Sequence, residues 1–298
     1  MSKQHLITGI GEILWDILPG GNRLGGAPAN FASHCRQLGN IAFPVASVGT
    51  DILGSQAIAE LEEAGNSTQY IQRTSSYPTG RVFVSLDSQG KPCYSILEEV
   101  AWDHLEFTPE LEALATKLDA TCFGVLAQRS DKSRQTIREF LRSMPASSLK
   151  ILDVNLRQPF FTKELVEESL QLATILKLSD EELVLIGKFF NLTGDVTTQL
   201  GALLSLFDLD LIAYTRGCQG SLLLSSQEIS ETTGISTTMV DSVGAGDSFT
   251  AALCTGILNG WSLGQTNKFA NEVAAFVCSR QGATPLLPEN LTREKAVS

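Results

Sequence analysis

Short apolar runs and longer stretches with helical spacing alternate along most of the chain. After position 108 the alternation is regular, and it predicts helices at 109–118, 131–143, 162–173, 180–190 and 197–207 and strands at 120–126, 149–155, 174–178, 210–215 and 221–225. Strands that alternate with helices indicate a mostly parallel sheet covered by helices on both faces. The sequence therefore predicts an α/β fold whose ligands bind at the carboxyl ends of the strands.

Patterning in the first hundred residues is less regular. It predicts strands at 5–11, 12–18 and 42–48, a turn at 19–22, and helices at 28–38 and 52–63. Two β-type runs at 81–86 and 92–97, joined by turn residues at 87–90, predict a hairpin that interrupts the alternation. We expect one domain over 1–298, with a small β-sheet lid formed by about 12–24 and 79–101.

The amino-acid composition limits the kinds of molecule that the chain is expected to bind. The chain has 298 residues, 43% of them hydrophobic and 18% charged, and its formal charge of −11 argues against nucleic acid and anionic membranes as partners. No apolar run approaches the roughly 18 residues of a membrane-spanning helix, and we expect no signal peptide. Six cysteines without a Cys-x-x-Cys pair indicate reduced thiols and a cytoplasmic protein, and the three scattered histidines are expected to be structural.

A glycine-rich turn that leads into a helix is the strongest chemical signal. In Asp241-Ser-Val-Gly-Ala-Gly-Asp247, small residues precede helical spacing, and the open N–H groups of a helix start favour an anion. Asp247 would repel a phosphate there unless it takes a proton from the group that attacks the phosphate, as phosphoryl transfer to a hydroxyl requires. The alternative is that Asp247 caps the helix and the glycines form an ordinary turn. These residues alone leave both interpretations open.

Polar residues also lie in or after other predicted strands. At strand geometry Asp153, Asn155 and Arg157 point to one face, where Arg157 could hold phosphate or sugar hydroxyls. A buried ion pair between Asp153 and Arg157 is the alternative. Asp16 lies among apolar residues and either faces solvent or accepts hydrogen bonds from a ligand, for which Asn30 is a natural companion.

Three further patterns are weaker. Ser179 and Glu182 have the spacing of an ordinary capping box, although a carboxylate near a strand end could also hold a hydrated Mg²⁺. Two glycines three apart in the 215–220 segment permit a tight loop over a nucleotide, a pattern that many hairpins share. Gly9-Ile-Gly11 suggests a dinucleotide site, but the sixth position is Leu14 rather than glycine, so we reject a nicotinamide oxidoreductase.

Two segments together resemble the signatures of the ribokinase-like (PfkB) family of carbohydrate kinases. The first is Gly25-Gly-Ala-Pro-Ala-Asn30, followed by Gly39 and Gly49, and the second is the 241–247 segment. They stand in the family's order, and the resemblance covers essentially the whole chain. It implies a ribokinase-like fold and an ATP-dependent kinase in which Asp247 deprotonates a sugar hydroxyl.

The resemblance also implies a role for each matching residue. The anion hole is matched by the backbone N–H groups of Gly244, Ala245, Gly246 and Asp247. Substrate-binding positions are matched by Asp16, Gly26 and Asn30, with Asp51 close to them and Arg157 as a further candidate; ATP-binding positions are matched by Ser179, Thr215, Gly217, Gly220 and, beside the adenine, Asn271. Glu182 matches a position that holds Mg²⁺ through water, and Asp241 and Val243, with 280–286, match a loop that binds K⁺ in many members. The departure is Ser179, where the family usually has the Asn of Asn-x-x-Glu.

Within the family, the first signature and Asp153-Val-Asn-Leu-Arg157 look most like the fructokinases. This implies that ATP and Mg²⁺ convert D-fructose into fructose 6-phosphate. A phosphosugar is disfavoured because the sugar-binding segments near the amino terminus offer only Arg23 as a cation. Kinases for 2-keto-3-deoxygluconate, ribose or another free sugar are alternatives, and a non-catalytic sugar-binding regulatory protein on the same fold is the alternative of a different class. Exposed lid edges invite pairing, so we expect a homodimer through the lid.

Overall fold

The structure, a computed structural model, describes residues 4–18, 20–86, 92–157 and 159–292. Its strands, numbered along the chain, are β1 (Leu6–Ile10), β2 (Leu14–Leu18), β3 (Gly21–Gly25), β4 (Ile41–Gly49), β5 (Ile71–Thr74), β6 (Gly80–Leu86), β7 (Pro92–Ile96), β8 (Ala120–Phe123), β9 (Leu149–Asp153), β10 (Ile175–Ser179), β11 (Leu211–Thr215), β12 (Ser221–Ser225) and β13 (Ile229–Thr232). The helices are α1 (Ala27–Gln37), α2 (Ile52–Glu63), α3 (Pro109–Ala115), α4 (Asp131–Ser143), α5 (Lys163–Leu170), α6 (Asp180–Phe189), α7 (Val196–Leu206), α8 (Ala245–Leu258), α9 (Leu263–Cys278) and α10 (Glu289–Thr292).

Two sheets account for all of these strands. In the described part of the chain, nine strands form the main sheet in the order β13-β12-β11-β10-β9-β8-β1-β4-β5. Its pairs are parallel from β11 to β5, and β12 and β13 add an antiparallel edge. A separate four-stranded sheet, called here the lid sheet, has the order β3-β2-β6-β7. The predicted α/β fold with a small additional sheet is therefore confirmed.

Helices cover both faces of the main sheet, and side-chain alternation along the strands decides what each face carries. Leu152 and Leu176 pack with α3 to α7, whereas Ile151 and Ile175 pack with α1, α8 and α9. Because successive side chains of a strand point to opposite faces, Asp153 and Lys177 lie on the α1–α8–α9 face. No described helix has the length and apolar character needed to cross a membrane.

Several predicted elements need correction. The strand expected at 149–155 ends at Asp153, because Asn155 adopts a left-handed backbone with φ of 41°. The alternation that was expected to align Asp153, Asn155 and Arg157 on one face therefore fails. The strand expected at 120–126 ends at Phe123, and a short 3₁₀ helix, Leu126–Gln128, follows.

Other strands were not predicted. The turn expected at 19–22 gives way to β3 from Gly21, which pairs antiparallel with β2. This segment consists mostly of glycines and polar residues, so its sequence lacks the pattern of a strand. It forms a strand because β2 supplies its hydrogen-bond partners. The predicted hairpin is confirmed as β6 and β7. Its turn at 87–90 lies outside the described residues.

Candidate active site

The start of α8 forms an open helix terminus. Gly244 precedes the helix in a left-handed conformation with φ of 78°, and no side chain caps the first turn. A Cβ at this residue would lie 2.1 Å from the carbonyl oxygen of Ala283, so the tight turn requires glycine. The first N–H groups of the helix have no intrahelical partners. The turn can therefore accept an anion, and Asp247, inside the first helical turn, is not its cap.

One hydrogen bond joins the two signature segments. Asn30 on α1 donates from Nδ2 to Oδ2 of Asp247 on α8, at 2.8 Å. Gly26, just before α1, lies very close to the main chain at Glu12. A Cβ at Gly26 would be 2.3 Å from the carbonyl oxygen of Glu12, so this position requires glycine. The structure thus brings the predicted base and a predicted sugar-binding amide into direct contact.

A buried ion pair lies beneath the start of α8. Lys177 Nζ is 2.9 Å from Asp153 Oδ1, and Thr250 donates to the other Asp153 oxygen at 3.3 Å. The alternative ion pair of Asp153 with Arg157 is therefore wrong. Lys177 Nζ also lies 3.1 Å from where a Cβ on Gly246 would be, so an ammonium group sits close under the candidate anion site. Sequence reasoning missed this residue, although a lysine inside an apolar strand was a usable signal.

These neighbours set the pKa of the candidate base. Burial raises the pKa of Asp247 to about 7, and nearby Asp153 raises it too, while Asn30 and Lys177 act in the opposite direction. A carboxylate with a pKa near neutrality is suited to take a proton at physiological pH. Burial alone would lower the pKa of Lys177, but Asp153 and other carboxylates outweigh it and the pKa is raised. Lys177 therefore stays charged.

A cleft of about 550 Å³ opens between strands β2 and β3 of the lid sheet, helices α1 and α2, and the 281–285 segment. Its lining includes Asp16, Asn30 and, as further charged groups, Arg23, Glu60 and Asp241. Burial raises the pKa of Asp16, which Arg157 and Arg23 partly offset. Asp16 thus faces the cleft, as its interpretation as a ligand acceptor requires. The volume is in the range of small-molecule sites.

Two predicted substrate-binding residues are placed differently from those in the cleft. Asp51 begins α2 and accepts hydrogen bonds from Gly54 N at 2.7 Å, Thr79 N at 2.9 Å and Thr79 Oγ1 at 2.6 Å. This carboxylate therefore ties α2 to the residue before β6, at the base of the lid sheet. Arg157 is exposed, and its Nη1 donates to the Leu156 carbonyl at 3.1 Å.

The residues predicted to bind Mg²⁺ and ATP lie at or just after the carboxyl ends of two adjacent strands. Ser179 and Thr215 are paired in register at the carboxyl ends of β10 and β11. The capping box is confirmed: Glu182 N donates to Ser179 Oγ at 3.3 Å, and Glu182 Oε2 accepts from Ser179 N at 2.7 Å. The other Glu182 oxygen accepts from Leu156 N at 2.9 Å.

This carboxylate is suited to indirect metal binding. Each Glu182 oxygen keeps a second lone pair, which fits a hydrated Mg²⁺ held through its waters. Among the described residues, no group of three or more His, Cys, Asp or Glu side chains could hold a metal ion.

The predicted nucleotide loop connects β11 to β12. Gly217 begins a short 3₁₀ helix, and Gly220 ends the loop. Asn271 on α9 donates from Nδ2 to Ser221 Oγ at 2.6 Å, so it lies directly beside the end of the loop. Its amide also donates to the Asn267 carbonyl at 2.8 Å. The structure thus gathers Thr215, the two glycines and Asn271, with the amide of Asn271 engaged in joining α9 to β12.

In the loop that was predicted to bind K⁺, the carboxylate of Asp241 already pairs with a cationic side chain, that of Arg23. Asp241 Oδ2 accepts from Arg23 Nη1 at 3.0 Å and from Gly282 N at 3.2 Å, and Oδ1 accepts from Val243 N at 3.1 Å. Arg23 belongs to β3, so this ion pair connects the lid sheet to the turn before α8. A K⁺ at Asp241 would have to share the carboxylate with Arg23.

Comparisons with known proteins agree with this fold. Residues 20–290 match the model of the pfkB family carbohydrate kinases. An uncharacterized sugar kinase from Pyrococcus horikoshii is 30% identical over 98% of this chain and 96% of its own, and its crystal structure superposes with a TM-score of 0.79. A fructokinase from Escherichia coli is 28% identical over 96% of this chain and 98% of its own. The fold is that of a fructokinase crystal structure from Xylella fastidiosa with bound ATP, at a TM-score of 0.83, 23% identity and 95% coverage of both chains.

Fold and site thus define a sugar-phosphorylating class of α/β enzyme. The chain belongs to the pfkB family of carbohydrate kinases.

Proposed function

We propose that this kinase transfers the γ-phosphoryl group of ATP to the primary hydroxyl of D-fructose and forms fructose 6-phosphate. The observation that carries the proposal is the carboxyl group of Asp247, which has a pKa of about 7, lies in the first turn of α8 beside its open start, and accepts a hydrogen bond from Asn30. A base and an anion site in one place are the two elements that phosphoryl transfer to a hydroxyl needs.

The mechanism is a direct in-line transfer without a phosphoenzyme. Asp247 takes the hydroxyl proton while the sugar oxygen attacks the γ-phosphorus, and ADP leaves. The N–H groups of Gly244, Ala245 and Gly246, with that of Asp247, stabilise the charge on the transferring group. Bound Mg²⁺ supplies further charge neutralisation on the phosphates, and Glu182 would hold it through water. Asp16 and Asn30 orient the sugar, and the lid sheet excludes water as a competing acceptor.

A neutral free sugar fits the charges of the cleft. Its lining carries Asp16, Glu60 and Asp241 against one cation, Arg23, and that cation is paired with Asp241. A phosphosugar would meet net negative charge there. Fructokinases among the relatives of this chain, including the E. coli protein, support fructose as the neutral sugar.

Arg157 favours a second candidate, a sugar acid such as 2-keto-3-deoxygluconate. Its exposed guanidinium forms no ion pair among the described residues, and its charge offsets part of the rise that burial causes in the pKa of Asp16. A guanidinium in that place can bind a carboxylate through two parallel hydrogen bonds, in bidentate geometry. Nothing comparable favours ribose.

The test is ADP release from MgATP with fructose, 2-keto-3-deoxygluconate, ribose, glucose and adenosine, each with and without K⁺. We expect the highest kcat/KM for fructose. Preference for the sugar acid, abolished in Arg157→Met with fructose turnover unchanged, would transfer the assignment to the second candidate. Sugar binding without turnover of any acceptor would instead favour a non-catalytic sugar-binding protein.

A dimer through the lid sheet is part of the proposal. The strand β3 forms one edge of this sheet, and Gly21, Asn22 and Arg23 are exposed along it. Exposed edges pair readily with a second copy. Sedimentation equilibrium would show a dimer, and a monomeric mass at high protein concentration would contradict it.

A further inference from the structure

A small cavity adjoins the candidate base. Its volume is about 10 Å³, and it is lined by Asp247 together with Glu12, Asp153 and Asn155, with apolar walls from α1 and β8. This is the size of a site for one water molecule, which needs two to four polar partners. The four polar side chains can supply them.

Glu12 is the unexplained member of this group. It follows β1, and only 3% of its surface is exposed. Its Oε2 has no hydrogen-bond partner among the described residues. A buried carboxyl oxygen without a partner is costly, so a water in the adjoining cavity would resolve the deficit.

Charged and polar groups face Glu12 from every side. Burial raises the pKa of Glu12, its own N–H and that of Ala27 at the start of α1 lower it, Arg157 lowers it, and Asp153 raises it. Asp153 in turn is paired with Lys177 of β10, and the buried thiol of Cys122 on β8 lines the same cavity.

The charge of Glu12 also acts on the base. The charge of Glu12 contributes to the raised pKa of Asp247. Acids that interact strongly enough titrate as a pair rather than separately.

We propose that Glu12 is a positioning residue of the catalytic base, which acts through one water molecule in this cavity and receives the proton that Asp247 takes from the sugar. The inference rests on the proposed function only in taking Asp247 as the base.

The sugar O–H bond breaks, the new O–P bond forms and the bond between the γ-phosphorus and the oxygen of ADP breaks. The proton passes from Asp247 to the water, and a proton of that water passes to Glu12, from which it returns to solvent between turnovers.

The relay returns Asp247 to its ionised form while the product is still bound. A protonated Asp247 would otherwise remain beside the new phosphate ester and could return its proton in the reverse reaction. Glu12 holds the proton in the meantime.

The first experiment is Glu12→Gln, which keeps the shape and the hydrogen bond to water but cannot accept a proton. Since general-base catalysis as a whole contributes about 10²–10⁴-fold, we expect the loss of its relay to lower kcat about tenfold, with the sugar KM unchanged. The acid limb of the kcat profile should move to lower pH, because the negative charge of Glu12 no longer raises the pKa of Asp247. Glu12→Asp should restore part of kcat and return the limb towards the wild-type position, and Glu112→Gln, on the exposed face of α3, is the matched control.

A second measurement needs no turnover and no known sugar. Infrared difference spectra across pH record the C=O band of protonated carboxyl groups in the wild type, Glu12→Gln and Asp247→Asn. Glu12→Gln should lose one band and shift the midpoint of another to lower pH, and Asp247→Asn should shift the Glu12 band in the same direction. If Glu12→Gln does not fold, the shift in Asp247→Asn still decides the coupling.

The outcomes separate this inference from the proposed function. Wild-type kcat and an unmoved acid limb in Glu12→Gln would overturn the relay, and so would bands that titrate independently. A raised sugar KM at unchanged kcat would make Glu12 a part of the sugar site instead. Full activity in Asp247→Asn would overturn the assignment of the base itself, whatever Glu12 does.

Discussion

The two ends of the proposed site are built differently. At the base end, charged side chains are buried, and two of them are held by partners from other elements: Asp247 by Asn30 and Asp153 by Lys177. At the nucleotide end, the 217–219 loop is exposed, and the groups available to a ligand are mostly backbone. The base end is therefore preorganised by side chains, whereas the nucleotide end depends on the path of the chain. Side-chain substitutions should accordingly be far more damaging at the base end.

Removing the base is the strongest test of that difference. Asp247→Asn keeps the contact with Asn30 but cannot accept a proton, so we expect kcat to fall by about 10²–10⁴-fold with sugar binding retained. Steady-state kinetics and sugar titration by calorimetry measure the two quantities. Near-normal turnover would show that the preorganised end does not carry the chemistry.

The buried ion pair should dominate stability at the same end. Lys177→Met leaves Asp153 buried without its counter-ion, and breaking such a pair costs roughly 3–5 kcal/mol of unfolding free energy. The double variant Lys177→Met/Asp153→Leu should recover most of this loss, because paired charges can be replaced by apolar groups at little cost. Urea unfolding measures both. Equal stability of the single variant and the wild type would show that the pair is not a stabilising feature.

The raised pKa of Asp247 links activity and stability to pH in opposite directions. With a pKa of about 7 against an ordinary 3.8, the base becomes competent as pH rises through 7, and kcat should rise with it. The folded state binds more protons than the unfolded state between these values, so the contribution of this group to stability is complete below about pH 4 and is lost as pH rises through 7.

Asp247→Asn removes that pH-dependent contribution and should therefore be more stable than the wild type at pH 8, with the difference vanishing at low pH. Urea midpoints across pH measure it. Asp131→Asn, at a side chain 97% exposed, is the control. Parallel stability profiles of wild type and Asp247→Asn would contradict a raised pKa.

Ser179 should give the smallest effects. Its hydroxyl caps α6, so Ser179→Ala should cost about 1 kcal/mol of stability, whereas Ser179→Asn, an equally good cap, should change it by only a few tenths. Neither should change kcat appreciably. A large change in the Mg²⁺ dependence of activity for Ser179→Asn would instead give this position a metal-related role.

The features that sequence could predict are those with a local signature. The strand–helix alternation, the turn before α8 and the segment before α1 each carry their pattern within a few residues, and their order identified the family. Asp247 stood out because a carboxylate at an anion site is chemically unusual, and the resemblance to the family made it the expected base. The capping box of Ser179 and Glu182 follows from spacing alone.

The features that sequence missed depend on partners distant in the chain. Asp153 was expected to alternate with Arg157, but Lys177 on the adjacent strand takes the carboxylate and Asn155 breaks the alternation. Likewise, β3 exists because β2 lies beside it, and Asp51 is held by Thr79 from the start of the lid sheet. Glu12 drew no attention because only the fold shows the cavity that it shares with Asp247.

The hydrogen bond between Asn30 and Asp247 has a consequence for how the protein is made. Its two residues are 217 positions apart, and the contacts of Gln37 with Pro285 and Leu287 span 248 and 250 positions. Contacts of such long range form late in folding, because the intervening chain must be ordered or displaced first. On the ribosome, α1 emerges long before its partner α8 exists, so a nascent chain cannot assemble the base until α8 has been synthesised. A copy that stops before α8 is therefore born without activity.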